Sequence, residues 1–315
     1  MLLVLKKIIS IFLIIGVGYI LKKKDIVDEK GNQTITAILM KVICPCMIFS
    51  SIAGEELSDD TFSITLWSMA LSIGMSFILM LVGFLINRYV LRIQNREHLA
   101  VYCFCFPIGN FGFFGFPISL AVFGAGVLYI FVLENMMMPF YLYFYGIVFM
   151  HMLGNGGKVD SRKLKGLIKN ECLISSVLGM LFLFSGWKVP EFIFSSVEMI
   201  GNATTPIAMI IIGVMLADCN VKDYLKDFKF ILAAVLRMIT VPLIGFLAVN
   251  WLPVDVTVKI GFVFSFSFPT AFMAAPMVMQ EGYDSDRAAA MIAFTTLLSI
   301  IIIPLSASVL TQMYL

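Results

Sequence analysis

The chain has 315 residues, of which 60% are hydrophobic and only 13% are charged. Soluble domains carry about 25% charged residues, so this composition excludes an ordinary soluble protein and predicts an all-α polytopic membrane protein. The net charge of +2 is too small to indicate a nucleic-acid partner.

The apolar segments predict ten transmembrane helices, separated by loops that carry charged and turn-forming residues. Residues 2–21 have only Lys6 and Lys7 as charges and run into three lysines without a cleavage site. We therefore interpret them as a first span and not as a signal peptide. The ten predicted spans are 2–21, 34–54, 62–87, 98–122, 126–150, 168–187, 192–217, 228–251, 257–280 and 286–313.

Span 4 contains a cluster of residues that break helices. Its sequence PIGNFGFFGFP, at 107–117, holds two prolines, three glycines and Asn110. Proline lacks a backbone N–H, and glycine weakens a helix by about 1 kcal/mol. Backbone released from a helix at membrane depth must be buried in protein or line a wet cavity. The cluster predicts an interrupted span, which is typical of a transporter's binding site; prolines that merely kink the helix are the alternative.

The two halves of the chain resemble each other. The polar loop 151–167 separates residues 1–150 from residues 168–315, with five spans on each side. Span 9 carries its own breaker cluster, SFSFPTAFMAAP at 265–276, at the place that matches span 4. Because five spans is an odd number, the second copy is inverted, as in many transporters. We therefore predict two inverted five-helix repeats in which the broken helices 4 and 9 cross.

Lysine and arginine are distributed unevenly between the two sides of the predicted membrane. Sixteen of the 22 lie in loops on one side, four lie on the other side, and Lys41 and Arg237 lie within spans. Cytoplasmic loops carry the excess of these residues. The distribution predicts a multi-pass protein of the plasma membrane with both termini extracytoplasmic.

The broken helices suggest a site for an anion. The N-terminal ends of half-helices carry about half a positive charge and unpaired N–H groups, which suit a carboxylate. Gly109 and Gly112 would let a ligand approach the backbone, and Asn110 adds an amide that donates and accepts. The hydroxyl groups at the corresponding depth of span 9 belong to Ser265, Ser267 and Thr270.

Charged residues within spans are functional candidates, because each costs at least about 2.5 kcal/mol at a helix centre. Glu134, beside Asn135, is either a carboxylate that couples transport to a proton or cation, or half of a static ion pair with Arg237. Lys41 lies near a span end, where its side chain would extend toward the cytoplasm.

Chemistry other than transport finds little support. The chain has two histidines and no H-E-x-x-H, G-x-S-x-G or P-loop pattern, so we expect neither an enzyme nor a cofactor. Cys44 and Cys46 flank a proline within span 2, and thiolates with 21 methionines would suit Cu(I). Cysteine is also a common apolar filler, so soft-metal export is a distant alternative and we predict no metal site.

The crossover sequence resembles that of a known family. The segment GNFGFFGFPISLAVFG, at 109–124, is similar to the first crossover of the auxin efflux carrier family and its bacterial relatives. The segments at 171–180, 201–217 and 266–305 resemble the family's spans 6, 7, 9 and 10. Residues 62–87 are uncharged and the central loop is short, so the resemblance is to the bacterial type.

This resemblance implies a fold similar to bile-acid and sodium/proton transporters. Helices 1, 2, 6 and 7 would form a scaffold that makes a homodimer, and helices 3–5 and 8–10 a core that moves past it like an elevator. The family's crossover asparagine falls on Asn110, the proline of its second crossover on Pro269, and the polar pair of its span 5 on Glu134 and Asn135.

The sequence thus predicts a secondary carrier for a small organic anion. By resemblance the solute is a carboxylate or a dicarboxylate such as malonate or malate, and a proton or Na⁺ is the coupling ion. A membrane sensor or channel built on a transporter-like fold is the alternative from another class of function.

Overall fold

The computed structural model describes residues 2–55, 61–142, 146–154, 171–218 and 224–314. Within these ranges the chain is helical, and its strand-like structure is one isolated bridge. The main helices in chain order are α1 Leu2–Lys23, α2 Glu29–Ala53, α3 Thr61–Val90, α4 Arg96–Cys105, α5 Phe111–Phe123, α6 Ala125–Tyr141, α7 Ile147–Leu153, α8 Glu171–Ser185, α9 Glu191–Gly201, α10 Thr204–Asp218, α11 Phe228–Asn250, α12 Val256–Ser265, α13 Ala274–Gln280 and α14 Ser285–Tyr314.

Helix length and composition agree with a polytopic membrane protein. In the described ranges, five helical stretches are long and apolar enough to cross a membrane: α2, α3, α9 together with α10, α11, and α14. Helices α5, α8 and α12 are apolar but shorter. The prediction of an all-α membrane protein is confirmed, whereas the ten spans and the inverted orientation of the second repeat stay predictions.

Proline by itself does not interrupt these helices. Pro242 lies inside α11 and Pro304 inside α14, and both helices continue through them. Pro45 in α2 follows a wider π-helical turn at Leu39–Ile43, a geometry that accommodates a disturbed helical hydrogen-bond ladder. A proline alone is therefore not sufficient to break a helix of this protein.

Both predicted broken spans are interrupted. In span 4 the helix stops at Cys105 and resumes at Phe111, and in span 9 it stops at Ser265 and resumes at Ala274. The alternative that prolines merely kink span 4 is therefore wrong. Span 7 also pauses, between α9 and α10, which the sequence did not predict. Most of the predicted linker 151–167 lies outside the described residues.

The helices group into two compact units. The first unit comprises Met1–Ser68, Gly112–Met136 and Arg162–Asp218, and the second comprises Met69–Phe111, Met137–Ser161 and Cys219–Leu315. Predicted scaffold spans 1, 2, 6 and 7 fall in the first unit and spans 8–10 in the second, while spans 3–5 contribute to both. The predicted repeats and the scaffold–core division stay predictions.

Small residues bring helices close together in the first unit. A Cβ on Gly18 of α1 would lie 2.1 Å from the carbonyl oxygen of Ile210 in α10, and Gly213 of α10 is equally close to the backbone of α1. Gly201 at the end of α9 faces the backbone of Met47 in α2. Such close backbone approach is how membrane helices gain van der Waals contact without a hydrophobic driving force.

The second unit has an extensive buried core formed by α4, α7, α11, α13 and α14. Helix α11 passes close to the second break, since a Cβ on Gly245 would lie 2.2 Å from the ring of Phe266. Residues of the core include Val101, Phe104, Phe230, Met277 and Met291. Both helix breaks lie in this unit, so this core is what positions the candidate site.

Candidate functional site

The first break separates α4 from α5. Helix α4 ends at Cys105, and residues 106–110 leave the helix before it resumes with a wide π-helical turn. The proline in this segment has no N–H to donate to the preceding turn. A Cβ on Gly109 would lie 2.8 Å from the ring of Phe111 and 3.4 Å from the carbonyl oxygen of Ser265. Position 109 therefore has little room for a side chain.

The second break separates α12 from α13, and its serines complete the end of α12. The hydroxyl of Ser265 donates to the carbonyl of Phe262 at 2.8 Å, and that of Ser267 donates to Val263 at 3.1 Å. The bond from Ser267 satisfies a carbonyl group near the helix end, whereas the carbonyl of Phe262 also accepts from the N–H of Phe266. Helix α13 has only seven residues, so its N-terminal end is weaker than the intact half-helix that the sequence suggested.

The two breaks pair with each other through their backbones, and this pairing of residues 108–110 with residues 269–271 is called the crossing below. The N–H of Asn110 donates to the carbonyl of Pro269 at 2.9 Å, and the N–H of Ala271 donates to Ile108 at 3.1 Å. Between them, Gly109 and Thr270 form the isolated antiparallel bridge. Backbone groups freed from the helices are thus satisfied by a short strand-like pairing, as burial requires.

Helix α14 supports the crossing from one side. The N–H of Thr270 donates to the hydroxyl oxygen of Thr295 at 3.1 Å, and that hydroxyl donates in turn to Met291 at 2.7 Å. The side chains of Thr270 and Thr295 are both fully buried. Thr295 is not among the predicted site residues. The sequence feature that could have indicated it is the pair of threonines at 295 and 296 in an otherwise apolar part of span 10.

Arg237 of α11 binds the carbonyl groups of both breaks. Its Nε donates to Cys105 at 3.2 Å, Nη2 to Ile108 at 2.8 Å and Nη1 to Phe268 at 3.0 Å. The side chain is among the largest that are fully buried. In the part of the chain that the structure describes, these partners are neutral carbonyls and the sulfur of Met238, not carboxylates. The crossing therefore holds a buried positive charge.

Comparison with known proteins identifies the family of this chain. Residues 3–307 match the family model described as membrane transport protein. The chain belongs to the auxin efflux carrier family. It is 24% identical over 307 residues to an uncharacterized transporter of Methanocaldococcus jannaschii, covering 95% of this chain and 96% of the relative. It is also 24% identical over 314 residues to an uncharacterized transporter of Methanothermobacter thermautotrophicus, covering 96% and 97%.

Membership of the auxin efflux carrier family decides the broad class of function. The family and the two archaeal relatives are transporters, so the chain is a membrane transport protein and not an enzyme. The family resemblance that the crossover sequence suggested is confirmed over nearly the whole chain.

Six of the nine predicted site residues lie together at the two breaks, in the second unit. Four of them are backbone or side-chain partners in the crossing, one caps the adjacent helix end, and one holds the carbonyl groups. These six are Gly109, Asn110, Pro269, Thr270, Ser267 and Arg237. Asn110 is 6% exposed and the serine and threonine are fully buried. Their part in binding a solute stays a prediction.

The remaining three predicted residues belong to the first unit. Glu134 lies in α6, where residues 127–134 are buried on every face of the helix, and its own exposure is 1%. Asn135 and Gly112 are half-buried. The coupling role of Glu134 and its alternative, the ion pair with Arg237, both stay predictions.

Metal-binding side chains are not clustered in the described ranges. No three His, Cys, Asp or Glu side chains come together there as a metal site. Cys44 and Cys46 of α2 are free thiols, and no His, Cys, Asp or Glu of the described residues completes a group of three with them. The structure therefore gives the soft-metal alternative no added support.

Proposed function

We propose that the chain is a secondary active carrier that moves a small organic anion, such as a carboxylate or dicarboxylate, across the plasma membrane. One observation carries this proposal: two interrupted helices pair through their backbones beside a buried arginine. Irregular backbone in a transporter is the usual location of the solute site. Family membership supports transport and leaves the solute to be inferred from the site.

The chemistry of the crossing favours an anion. Arg237 places a positive charge against the carbonyl groups of both breaks. This charge offsets the partial negative charge of the carbonyl groups at the C-terminal end of each broken helix. Helix α5, with 13 residues, begins immediately after Asn110, and helix N-termini attract negative charge. A charge-assisted hydrogen bond from an amide or N–H to a carboxylate is stronger than a neutral one.

The remaining parts of the carrier are proposed from the sequence and from the family resemblance. Glu134 would couple transport to a proton or Na⁺, since a carboxylate buried in a membrane helix is costly unless it has a function. Spans 1, 2, 6 and 7 would form a dimeric scaffold past which the other spans move in an elevator-like step. Both termini would be extracytoplasmic, as the distribution of lysine and arginine predicts.

A thermal unfolding screen tests the proposed solute class. Purified protein in lipid nanodiscs is heated with malonate, malate, acetate or neutral malonamide, with and without Na⁺, at two pH values. A carboxylate at about 100 times its Kd stabilises the folded protein by about 2.7 kcal/mol, and malonamide should give no shift. Stabilisation by neutral solutes alone would overturn the proposal.

A transport assay separates a carrier from a channel. Proteoliposomes are loaded with the stabilising carboxylate, and its counterflow is compared with the current that single molecules pass in a planar bilayer. A carrier gives saturable counterflow without unitary current steps. Unitary currents with no saturation would instead support the channel alternative.

A further inference from the structure

One guanidinium group links three segments that are far apart in sequence. Arg237 lies within α11, and its three nitrogens bind carbonyl oxygens from the end of α4, from the first break and from the second break. We propose that Arg237 is the positioning residue of the crossing: it ties the two breaks to each other and to α11. The proposal deepens the proposed function, because the crossing it holds is the candidate anion site.

The bound carbonyls are those that the breaks leave without helical partners. Cys105 is the last residue of α4, and Phe268 follows the end of α12 by three residues. A helix leaves its last four carbonyl groups unpaired, and a buried carbonyl without a hydrogen-bond donor destabilises the folded state. Arg237 binds one such group at the end of α4, Cys105, and the carbonyl of Phe268 in the second break. Its removal would therefore affect both breaks together.

The same oxygens also take part in the pairing of the breaks. The carbonyl of Ile108 accepts from both Arg237 and the N–H of Ala271, and the carbonyl of Cys105 accepts from both Arg237 and the hydroxyl of Thr270. Each shared acceptor connects the guanidinium directly to a contact across the crossing. A movement of Arg237 would thus loosen the backbone pairing itself.

Geometry distinguishes arginine from lysine at this position. The guanidinium is planar and binds its three carbonyls through Nε, Nη1 and Nη2, one each. A lysine has a single ammonium group on a flexible stem and binds as a point charge. Arg237→Lys would keep the positive charge but lose the simultaneous bonds to three carbonyl groups. The variant therefore distinguishes the positioning of the breaks from the effect of the charge.

Hydrogen exchange of the backbone tests this proposal without a solute. Exchange is measured by mass spectrometry in nanodiscs for wild type, Arg237→Lys and Arg237→Gln. Both variants should speed exchange at least about tenfold at the N–H groups of Asn110 and Ala271. Peptides from α1 and α10, in the other compact unit, should exchange as in wild type.

A matched arginine controls for the substitution itself. Within the described residues, Arg88 of α3 donates to nearby Ile93 and Gln94 and to neither break, so Arg88→Lys should leave exchange in both breaks unchanged. Faster exchange in only one break, or only in α11, would overturn the link between the breaks. If Arg237→Gln does not fold, the lysine variant alone decides the outcome.

Binding measurements then distinguish this proposal from the proposed function. The carboxylate that stabilises wild type should bind at least about tenfold more weakly to Arg237→Gln, and Arg237→Lys should recover part of that loss. If no carboxylate binds wild type but exchange still rises in both breaks, the positioning role stands and the anion carrier does not. Unchanged exchange in Arg237→Lys refutes the positioning role whatever binds.

Discussion

The backbone N–H of Asn110 donates to the carbonyl of Pro269 at 2.9 Å, which joins residues 159 positions apart in the chain. Pro117 in α5 and Pro276 in α13 have the same separation. Equivalent positions of two inverted repeats can pair in antiparallel fashion where they lie on the axis that relates the repeats. The contact agrees with the predicted inverted repeats, which stay a prediction.

Substitution of Asn110 tests whether the crossing binds the solute. Asn110→Ala removes a buried amide that can donate and accept, while the main-chain bond to Pro269 can still form. We expect counterflow of the stabilising carboxylate to fall at least about tenfold, as for loss of a charge-assisted hydrogen bond. Membrane insertion and unfolding temperature should change little. Asn202→Ala, at the exposed end of α9, is the control that should transport normally.

Position 109 tests the close packing of the first break. Gly109→Ala places a Cβ 2.8 Å from the ring of Phe111, so the ring or the backbone must shift. Overpacking of this kind costs about 1–3 kcal/mol, and we expect a lower unfolding temperature together with faster exchange in both breaks. Gly74→Ala is the matched control, because nothing lies within 4 Å of a Cβ there. Equal stability of the two variants would contradict the described packing.

The sequence predicted the two breaks because their residues carry a direct physical signal. Proline removes a backbone hydrogen bond, and glycine, asparagine and serine have low helix propensity. Clusters of these residues in spans 4 and 9 predicted both interruptions. The sequence could not predict that Arg237 binds carbonyl groups and not a carboxylate. Every residue has a backbone carbonyl, so the residue type does not show which carbonyl groups will accept. Thr295 was missed for a similar reason: one hydroxyl in a membrane helix usually bonds its own preceding turn.

The close contact of α1 with α10 gives a prediction about the first unit. A Cβ on Gly18 would lie 2.1 Å from the carbonyl oxygen of Ile210, and backbone atoms cannot turn aside as side chains do. Gly18→Ala should therefore separate the helices and destabilise the protein by at least about 1–3 kcal/mol. Gly16→Ala, two residues earlier with nothing within 4 Å of its Cβ, should leave stability unchanged or raise it by less than about 1 kcal/mol. Thermal unfolding in nanodiscs compares the pair.

Substitution of Glu134 distinguishes coupling from a structural role. Glu134→Gln keeps the size of this buried side chain but removes its ability to carry a proton or bind a cation. If Glu134 is the coupling carboxylate, transport persists but no longer responds to a proton or Na⁺ gradient across the proteoliposome membrane. Glu198→Gln, on an exposed position of α9, should keep the wild-type response. Full gradient dependence in Glu134→Gln would instead indicate a structural role for Glu134.

Asp227 gives a pH-dependent prediction outside the membrane-spanning segments. Its carboxylate caps α11 through the N–H groups of Lys229 and Phe230 and pairs with Arg287 at 3.1 Å. Partial burial alone would raise the pKa of Asp227, but the bonds from Phe230 and Arg287 and the charge of Arg287 hold this pKa below its ordinary value of 3.8. A carboxyl whose pKa is lowered by folding stabilises the folded state above its unfolded pKa.

This stabilisation should disappear as the pH falls through the lowered pKa of Asp227. Asp227→Asn removes it at every pH, so its unfolding temperature should lie below that of wild type near neutral pH and approach it below about pH 4. Asp255→Asn is the control, because Asp255 caps α12 through the N–H of Thr257 and makes no ion pair within the described residues. A difference between wild type and Asp227→Asn that stays constant down to strongly acidic pH would show that the ion pair with Arg287 does not hold the carboxylate in its charged form.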